Sequence, residues 1–107
     1  MSFEKASEYL KSRGYEDRIK VFAESTATVA AAAEALGCKE DEIAKSLALI
    51  AGEDVILILA KGTARLDNTK YKAEFHTKAK MIDHDKVGEL VGHAAGGVCP
   101  FGVNEGV

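Results

Sequence analysis

Two apolar stretches separated by a short polar link constrain the fold of this chain most. Residues 44–51 and 55–60 are each rich in aliphatic side chains and have the length of a β-strand. The link Gly52-Glu53-Asp54 is polar and short, which suits a hairpin. Every position of 55–59 is apolar, so we predict that this strand is central in its sheet and covered on both faces.

Caps and breakers around this hairpin predict four helices and two further short strands. The first helix covers residues 2–13, from a Ser2 cap to Gly14, and the second runs from Ser25 or Thr26 through the alanine run 30–33 to Gly37. A third helix begins at Asp67 or Asn68 and reaches about Phe75, and a fourth follows Asp83, contains His84 in its first turn and ends at Gly92. Short strands are predicted at Ile19–Ala23 and Lys80–Ile82.

The irregular order of these elements predicts a fold class of mixed α/β type (α+β), with helices around the sheet, rather than a regular βαβ array. With 107 residues and no linker, repeat or low-complexity stretch, residues 1–107 are predicted to form one domain. No apolar run reaches the roughly 18 residues of a membrane span, and no signal pattern is present. Cys38 and Cys99 match no zinc or redox spacing, which favours free thiols and a cytoplasmic location.

The net charge of −3 is unevenly distributed along the chain. Residues 61–80 contain six basic and two acidic side chains, a net charge of +4, whereas residues 1–60 carry −4 and residues 81–107 carry −3. A basic segment on an acidic protein is typical of a docking site for a polyanion. The alternative is a lysine-rich helix face that only contacts solvent.

The segment Gly96-Gly97-Val98-Cys99-Pro100-Phe101-Gly102 contains three glycines around the only proline of the chain. Glycine allows close approach of the backbone to a ligand and proline fixes the turn, so such a loop can aim N–H groups at an oxyanion or hold a water molecule. The alternative is a tight surface turn without a ligand.

Lys45 is a second candidate because it lies at the start of the first predicted strand, in phase with Leu47 and Leu49. If those two leucines face the core, Lys45 points toward the rim of the sheet, where a lysine either extends its charge into water or meets an anion such as phosphate or carboxylate. A solvent-facing lysine at a strand end is the alternative.

The histidines and Cys99 complete the set of reactive side chains. His76, His84 and His93 have no partner at ligand spacing, so no metal site is predicted. Cys99 is a conceivable nucleophile in its glycine loop, but no base is identifiable beside it, so we interpret it as a small packing residue. No Gly-x-Ser-x-Gly elbow accompanies the serines.

The pair of segments Ile43-Ala44-Lys45-Ser46-Leu47 and Gly96 to Gly102 resembles the YbaK/EbsC family, from about Ile19 to the end of the chain. That family includes free-standing Cys-tRNA(Pro) and Ala-tRNA(Pro) deacylases and the editing insertion of bacterial prolyl-tRNA synthetases. The resemblance implies a mixed, mostly antiparallel sheet wrapped by helices. Relatives continue past the position of Val107 with a strand, a glycine- and serine-containing loop and a final helix, so it also implies that these parts are missing here.

The resemblance further assigns roles to individual residues. It implies that Lys45 holds the substrate near the terminal adenosine and that the backbone of the glycine loop cradles the aminoacyl ester. The residues implied for catalysis are Lys45, Gly96, Gly97 and Pro100, and those implied for substrate binding are Phe22, Ser46, Val98, Cys99, Phe101 and Gly102. Many relatives have serine where Cys99 stands.

The function implied by the resemblance is hydrolysis of the ester of a mischarged tRNA, Cys- or Ala-tRNA(Pro), without a cofactor. The implied partners are the aminoacylated 3′ end of tRNA and prolyl-tRNA synthetase. Two alternatives stand beside it. One is a non-catalytic module that binds tRNA, a nucleotide or a synthetase, and the other is an inactive fragment that associates with further copies through an open sheet edge.

Overall fold

The computed structural model describes residues 2–23 and 25–107 of the chain. Its helices are α1 (Ser2–Ser12), α2 (Val29–Leu36), α3 (Asn68–Phe75) and α4 (Val87–Val91), and its strands are β1 (Ala44–Ala51) and β2 (Asp54–Lys61). Single turns of 3-10 helix cover Glu16–Arg18 and Glu40–Glu42. This is the mixed α+β architecture that the sequence predicts. None of the helices in the described ranges is long and apolar enough to cross a membrane.

The predicted hairpin is confirmed. β1 and β2 pair antiparallel along their whole length, from Ala44 opposite Lys61 to Ala51 opposite Asp54. Only Gly52 and Glu53 therefore lie in the turn, one residue fewer than the predicted link. Gly52 has a φ of 64°, the left-handed conformation that two-residue hairpin turns require and that glycine adopts readily.

The prediction of a central second strand is wrong, because the described sheet consists of two strands, β1 and β2. The short strand predicted at Lys80–Ile82 is reduced to an isolated bridge between Leu49 and Met81. This segment bonds to β1 through Ile50 N to the Lys80 carbonyl (2.9 Å) and Ile82 N to the Ala48 carbonyl (3.1 Å). Leu49 is fully buried, whereas Leu59 in β2 is 51% exposed. An unbroken apolar run indicates that both faces are covered in part, but it does not indicate how many neighbouring strands there are.

The four predicted helices are present, but the residues predicted to cap α2 and α4 are wrong. α1 begins at Ser2, whose side chain lies outside the described part of the structure. Thr28, and not Ser25 or Thr26, caps α2 by accepting a hydrogen bond from Ala31 N (3.1 Å), and α2 ends at Gly37 as predicted. Asp67 caps α3 through Lys70 N (3.0 Å).

The helix start predicted at Asp83 is wrong. The Asp83 carbonyl accepts a hydrogen bond from Lys86 N (2.8 Å) in a turn that precedes α4, so His84 lies in that turn and not in a helix. The strand predicted at Ile19–Ala23 is also absent: no described strand runs beside it to pair with, and Val21 is 76% exposed. High strand propensity therefore did not decide the conformation of this segment.

The hydrophobic core joins β1 to α4 and thereby fixes the chain that follows. Its buried members are Ala48 from β1, Ile82 next to the Leu49–Met81 bridge, and Val87 and Val91 from α4. Val98 and Val103 pack against the same cluster. The glycine-rich segment after α4 is thus anchored to the core on both sides of Pro100.

Candidate functional site

A cavity of about 440 Å³ opens where β1, the beginning of α2, α4 and the glycine loop meet. This volume lies within the usual range for small-molecule sites. The residues that line it are Thr26, Ala27, Thr28, Val29, Ala32, Ile43, Ala44, Lys45, Ser46, Ala48, Met81, Ile82, His84, Val87, Ala95, Gly96 and Val98.

The chemistry of this lining favours a small, anionic or carbonyl-bearing ligand. Its walls are mostly alanine and other aliphatic side chains, and its polar members supply hydroxyls, an imidazole and one ammonium group. No aspartate or glutamate occurs among the described residues that line it. A bound anion would therefore meet a positive charge at Lys45 and no facing carboxylate.

Lys45 is held by the loop that follows β2. Its Nζ donates hydrogen bonds to the carbonyl of Gly62 (3.1 Å) and to the carbonyl of Ala64 (2.5 Å), and its side chain is half-buried. An ammonium group has three N–H donors, so these two carbonyls, its partners among the described residues, leave one donor for a ligand. Lys45 is thus a fixed point charge with a free donor and not a solvent-facing lysine.

Gly62 permits this arrangement by allowing an unusually close backbone approach. A Cβ at position 62 would lie 2.2 Å from the carbonyl oxygen of Glu40 and 2.5 Å from Cγ1 of Val29. Only a residue without a side chain fits between the 3-10 turn and α2 at this point. The position of the Lys45 ammonium consequently depends on a glycine that motif reasoning did not single out.

The glycine loop contributes to the cavity through its first half only. Gly96 and Val98 line the cavity, and Gly96 has a φ of 87°. Gly97, Cys99, Pro100, Phe101 and Gly102 are not among the described lining residues.

His93 fastens the second half of the loop from inside the molecule. The side chain is 1% exposed, and its Nε2 lies 2.6 Å from the carbonyl oxygen of Phe101. A carbonyl oxygen only accepts, so Nε2 carries the proton and donates it to this bond. Nδ1 is buried and has no hydrogen-bond partner within the described residues. Sequence reasoning considered His93 only as a metal ligand and missed this role, for which spacing gives no signal.

The interpretation that no base accompanies Cys99 needs correction, because its Sγ lies 3.7 Å from His93 Nε2. The imidazole nevertheless cannot take the thiol proton at that nitrogen, since Nε2 already bears a hydrogen directed at Phe101. The thiol itself donates to the same carbonyl, at 3.6 Å. The geometry therefore supports a packing role for Cys99.

For the ester hydrolysis that the sequence resemblance implies, replacing Cys99 with serine is expected to change the rate by less than about threefold, because a serine hydroxyl can donate to the same carbonyl. The measurement is kcat/KM on a mischarged tRNA for the two proteins side by side. Cys99→Ala serves as the control for loss of the contact. A loss of a hundredfold or more in the serine variant would make the thiol a nucleophile.

α1 braces the loop from the outside. Lys5 Nζ donates to the carbonyl of Gly92 (3.2 Å), and the rings of Tyr9 and Phe101 are in contact, with centroids 5.9 Å apart. A Cβ at Gly102 would lie 2.6 Å from the Lys5 carbonyl oxygen, and Gly102 has a φ of 71°. The loop is thus held between His93 on its inner side and α1 on its outer side.

The remaining predicted residues divide between the cavity and its surroundings. Ser46 lines the cavity beside Lys45, whereas Phe22 is half-buried and is not among the described lining residues, so its role on the pocket wall stays a prediction. Thr26, Thr28 and His84 line the cavity and were not predicted to do so. Their approach depends on tertiary packing and not on a motif.

The described residues form neither a metal-binding group nor a disulfide. No group of three or more His, Cys, Asp and Glu side chains in the described ranges is close enough together to hold a metal ion. Cys38 and Cys99 are both free thiols.

Fold and site together define a small α+β structure with a cavity lined by a fixed lysine and by the first half of the glycine loop. Residues 23–107 match the family described as the aminoacyl-tRNA editing domain. The chain belongs to this family.

Three relatives show the extent of the similarity. The uncharacterized protein YwhH of Bacillus subtilis (strain 168) is 41% identical over 104 residues, which are 96% of this chain and 66% of YwhH. The crystal structure of a protein described as a candidate trans-editing enzyme for prolyl tRNA synthetase is 32% identical, with a TM-score of 0.81 over 96% of this chain and 66% of that one. The hypothetical protein APE2540 is 29% identical, with a TM-score of 0.80 over 95% of this chain and 69% of that one. The chain thus spans about two thirds of the length of these relatives.

Proposed function

We propose that this chain carries the deacylase site of a trans-editing enzyme of the YbaK/EbsC type, which hydrolyses the ester of a mischarged tRNA. The observation that carries the proposal is the cavity that joins the fixed Lys45 ammonium to the backbone of Gly96. The aminoacyl ester and the terminal adenosine would occupy this cavity, and the rest of the tRNA would remain outside. Such a role also places the protein in the cytoplasm, where tRNA is charged.

The chemistry would rest on positioning and on stabilisation of the developing oxyanion. A bound water, oriented by the 2′-hydroxyl of the substrate, attacks the ester carbonyl and gives up a proton. With a cysteine substrate its own thiol can attack in place of water, which releases a cyclic thioester. In either case the tetrahedral oxyanion collapses, the bond to the ribose oxygen breaks, and this oxygen takes the proton that the nucleophile gave up. An ester needs less help than an amide, so oriented donors such as the free N–H of Lys45 and the loop backbone could supply much of the acceleration.

The volume of the cavity favours a small amino acid. About 440 Å³ has to hold both the terminal adenosine and the aminoacyl group, so little space is left for a bulky side chain. Exclusion of bulk is easier than rejection of something smaller. The substrates proposed are Ala- or Cys-tRNA(Pro), with prolyl-tRNA synthetase as a partner that hands over the tRNA.

A panel of mischarged tRNAs tests the proposal directly. The release of labelled amino acid is measured for alanyl, cysteinyl, seryl, prolyl and leucyl esters on the same tRNA. Turnover of the alanyl or cysteinyl ester with at least tenfold preference over the leucyl ester is the expected result. Equal rates for all esters, at the level of uncatalysed hydrolysis, would remove the proposal.

Replacing Lys45 with methionine is expected to lower kcat/KM roughly 10- to 100-fold, the usual value of one hydrogen bond to a charged group. Methionine keeps most of the length and apolar stem while removing the charge and all three donors. Lys20→Met, at an exposed lysine that does not line the cavity, is the control and should keep its rate. An unchanged rate in the Lys45 variant would contradict the assignment.

A non-catalytic binding module is the second candidate. It is favoured by the absence of a nucleophile–base pair at Cys99 and of any carboxylate in the described lining. Tight binding of tRNA without hydrolysis of any ester would select it. Association through the β2 edge, the third option, predicts a dimer or larger species in light scattering coupled to size exclusion.

A further inference from the structure

The exposed charge of this protein is divided between one basic segment and an acidic remainder. Residues 61–80 carry a net charge of +4 within a chain of net charge −3, so the other 87 residues carry −7. The side chains that form this excess are all exposed; they are Lys61, Arg65, Lys70, Lys72, Lys78 and Lys80. We call them the basic surface.

Within the part of the chain that the structure describes, none of these six charges forms an ion pair. None of them lies within ion-pair distance of a carboxylate in the described ranges, although the segment itself contains Asp67 and Glu74. Asp67 is occupied as the cap of α3. The charges are therefore available to an external anion, and their attraction is screened only by solvent and salt.

Two of the lysines share a groove of about 700 Å³ along α3. It is lined by Lys72 and Lys78 together with Asn68, Thr69, Ala73 and Ala79, and no acidic residue is among these. Ammonium, amide and hydroxyl groups are the donors that contact phosphate oxygens in nucleic-acid complexes. This groove is accordingly the part of the basic surface best suited to phosphate groups.

The basic surface begins at the rim of the cavity. Lys61 pairs with Ala44, which lines the cavity, and the carbonyls that hold Lys45 belong to Gly62 and Ala64, just before Arg65. The opposite side of this loop meets the acidic turn Glu40–Glu42, where Thr63 donates its hydroxyl to Asp41. A polyanion that extends out of the cavity is therefore repelled by the acidic turn Glu40–Glu42 and attracted by the lysines of α3.

We propose that the basic surface, and the Lys72–Lys78 groove above all, binds the phosphates of the acceptor stem of a tRNA whose aminoacylated end occupies the cavity. This inference rests on the proposed function. The molecule measures 40 × 30 × 26 Å, so every part of this surface lies within reach of such a stem. The contacts are electrostatic and independent of base sequence.

The double variant Lys72→Glu/Lys78→Glu tests the inference by comparing two substrates that share the ester. One is a full-length mischarged tRNA and the other is the same aminoacyl ester on adenosine alone. We expect kcat/KM to fall at least tenfold for the tRNA and to stay within twofold for aminoacyl-adenosine. The slope of log kcat/KM against log salt concentration for the tRNA should also become shallower by about 2, one for each lost phosphate contact.

Lys11→Glu/Lys20→Glu is the matched control, because it changes the net charge equally at two exposed lysines outside the basic surface. It should lose less than threefold on either substrate. Equal losses for tRNA and aminoacyl-adenosine in the Lys72/Lys78 variant would overturn the inference, as would an unchanged rate on tRNA.

Failure of the proposed function is separable from failure of this inference. If the parent protein hydrolyses neither ester, the proposed function falls, and fluorescence anisotropy of uncharged tRNA then tests the surface. Weaker binding by the Lys72/Lys78 variant than by the Lys11/Lys20 control supports the basic surface. Equal binding by the two variants rejects it.

Discussion

Replacing Gly62 with alanine is expected to lower the free energy of unfolding by about 3 kcal/mol, the upper end for forcing a methyl group into a packed position. The added Cβ would lie 2.2 Å from the Glu40 carbonyl oxygen, so backbone and not a flexible side chain has to move. For a protein of this size, such a loss lowers the melting temperature by roughly 10–20 °C. Thermal and denaturant unfolding followed by circular dichroism measure it.

Gly88→Ala is the control for this substitution. Gly88 lies in α4, and a Cβ there would meet only the Ala94 Cα at an ordinary 3.8 Å. This change is expected to be neutral or to stabilise by about 0.5–1 kcal/mol, since alanine is the better helix former. If the free energies of unfolding of the two variants differ by less than about 1 kcal/mol, Gly62 is not packed tightly between the 3-10 turn and α2.

Gly62→Ala should also reduce the proposed deacylase activity by more than its lower stability explains. The Gly62 carbonyl accepts one of the two hydrogen bonds that fix Lys45, so displacement of this carbonyl frees the ammonium group. Deacylation measured well below the melting temperature of the variant should be at least tenfold slower than in the parent. Full activity under those conditions would show that the proposed role of Lys45 does not depend on this carbonyl.

Replacing His93 with leucine is expected to release the glycine loop and to lower the kcat of deacylation about 100-fold. The change removes the donor that lies 2.6 Å from the Phe101 carbonyl and leaves it only the long contact with the Cys99 thiol at 3.6 Å. Loss of one such hydrogen bond costs about 0.5–1.5 kcal/mol. The backbone donors of the loop would then no longer be preorganised for the oxyanion. We expect kcat to fall more than KM rises, because the loss is in geometry and not in contact area.

Rescue by glutamine separates a positioning role from mere filling of space. The Nε2 of glutamine can reach about the same point as the Nε2 of histidine, whereas asparagine is one bond shorter and corresponds to Nδ1. His93→Gln should recover most of the kcat, and His93→Asn should not. Amide hydrogen exchange of residues 96–102 gives a readout independent of activity, with faster exchange expected in the leucine and asparagine variants. Equal exchange rates in all three variants would contradict the role of His93 in holding the loop.

The hairpin could be predicted from sequence because its signals are local. Two aliphatic runs around a short polar link specify β1 and β2 almost to the residue, and Gly37 and Asp67 mark helix ends by their own conformational preferences. The neighbours of each strand could not be predicted in this way. β1 gains a further contact through the isolated bridge between Leu49 and Met81, a segment that is distant in sequence and too brief to have a strong pattern.

The candidate site likewise combines residues that could be predicted from the sequence with residues that could not. Lys45 and Gly96 stand out in the sequence because their residue types are unusual at their positions, and both line the cavity. Gly62 and His93 matter through what lies across from them, a carbonyl of another segment in each case. Such partners come from tertiary packing, which a single sequence does not display.

The family-matched segment of this chain begins at residue 23, but the support of its glycine loop begins earlier, at α1. A protein trimmed to the matched segment would retain all the residues that line the cavity. It would nevertheless lose the Lys5 hydrogen bond to Gly92 and the aromatic contact of Tyr9 with Phe101. The segment matched by the family is therefore shorter than the segment that supports the site. Transfer of the site into another protein would have to include α1.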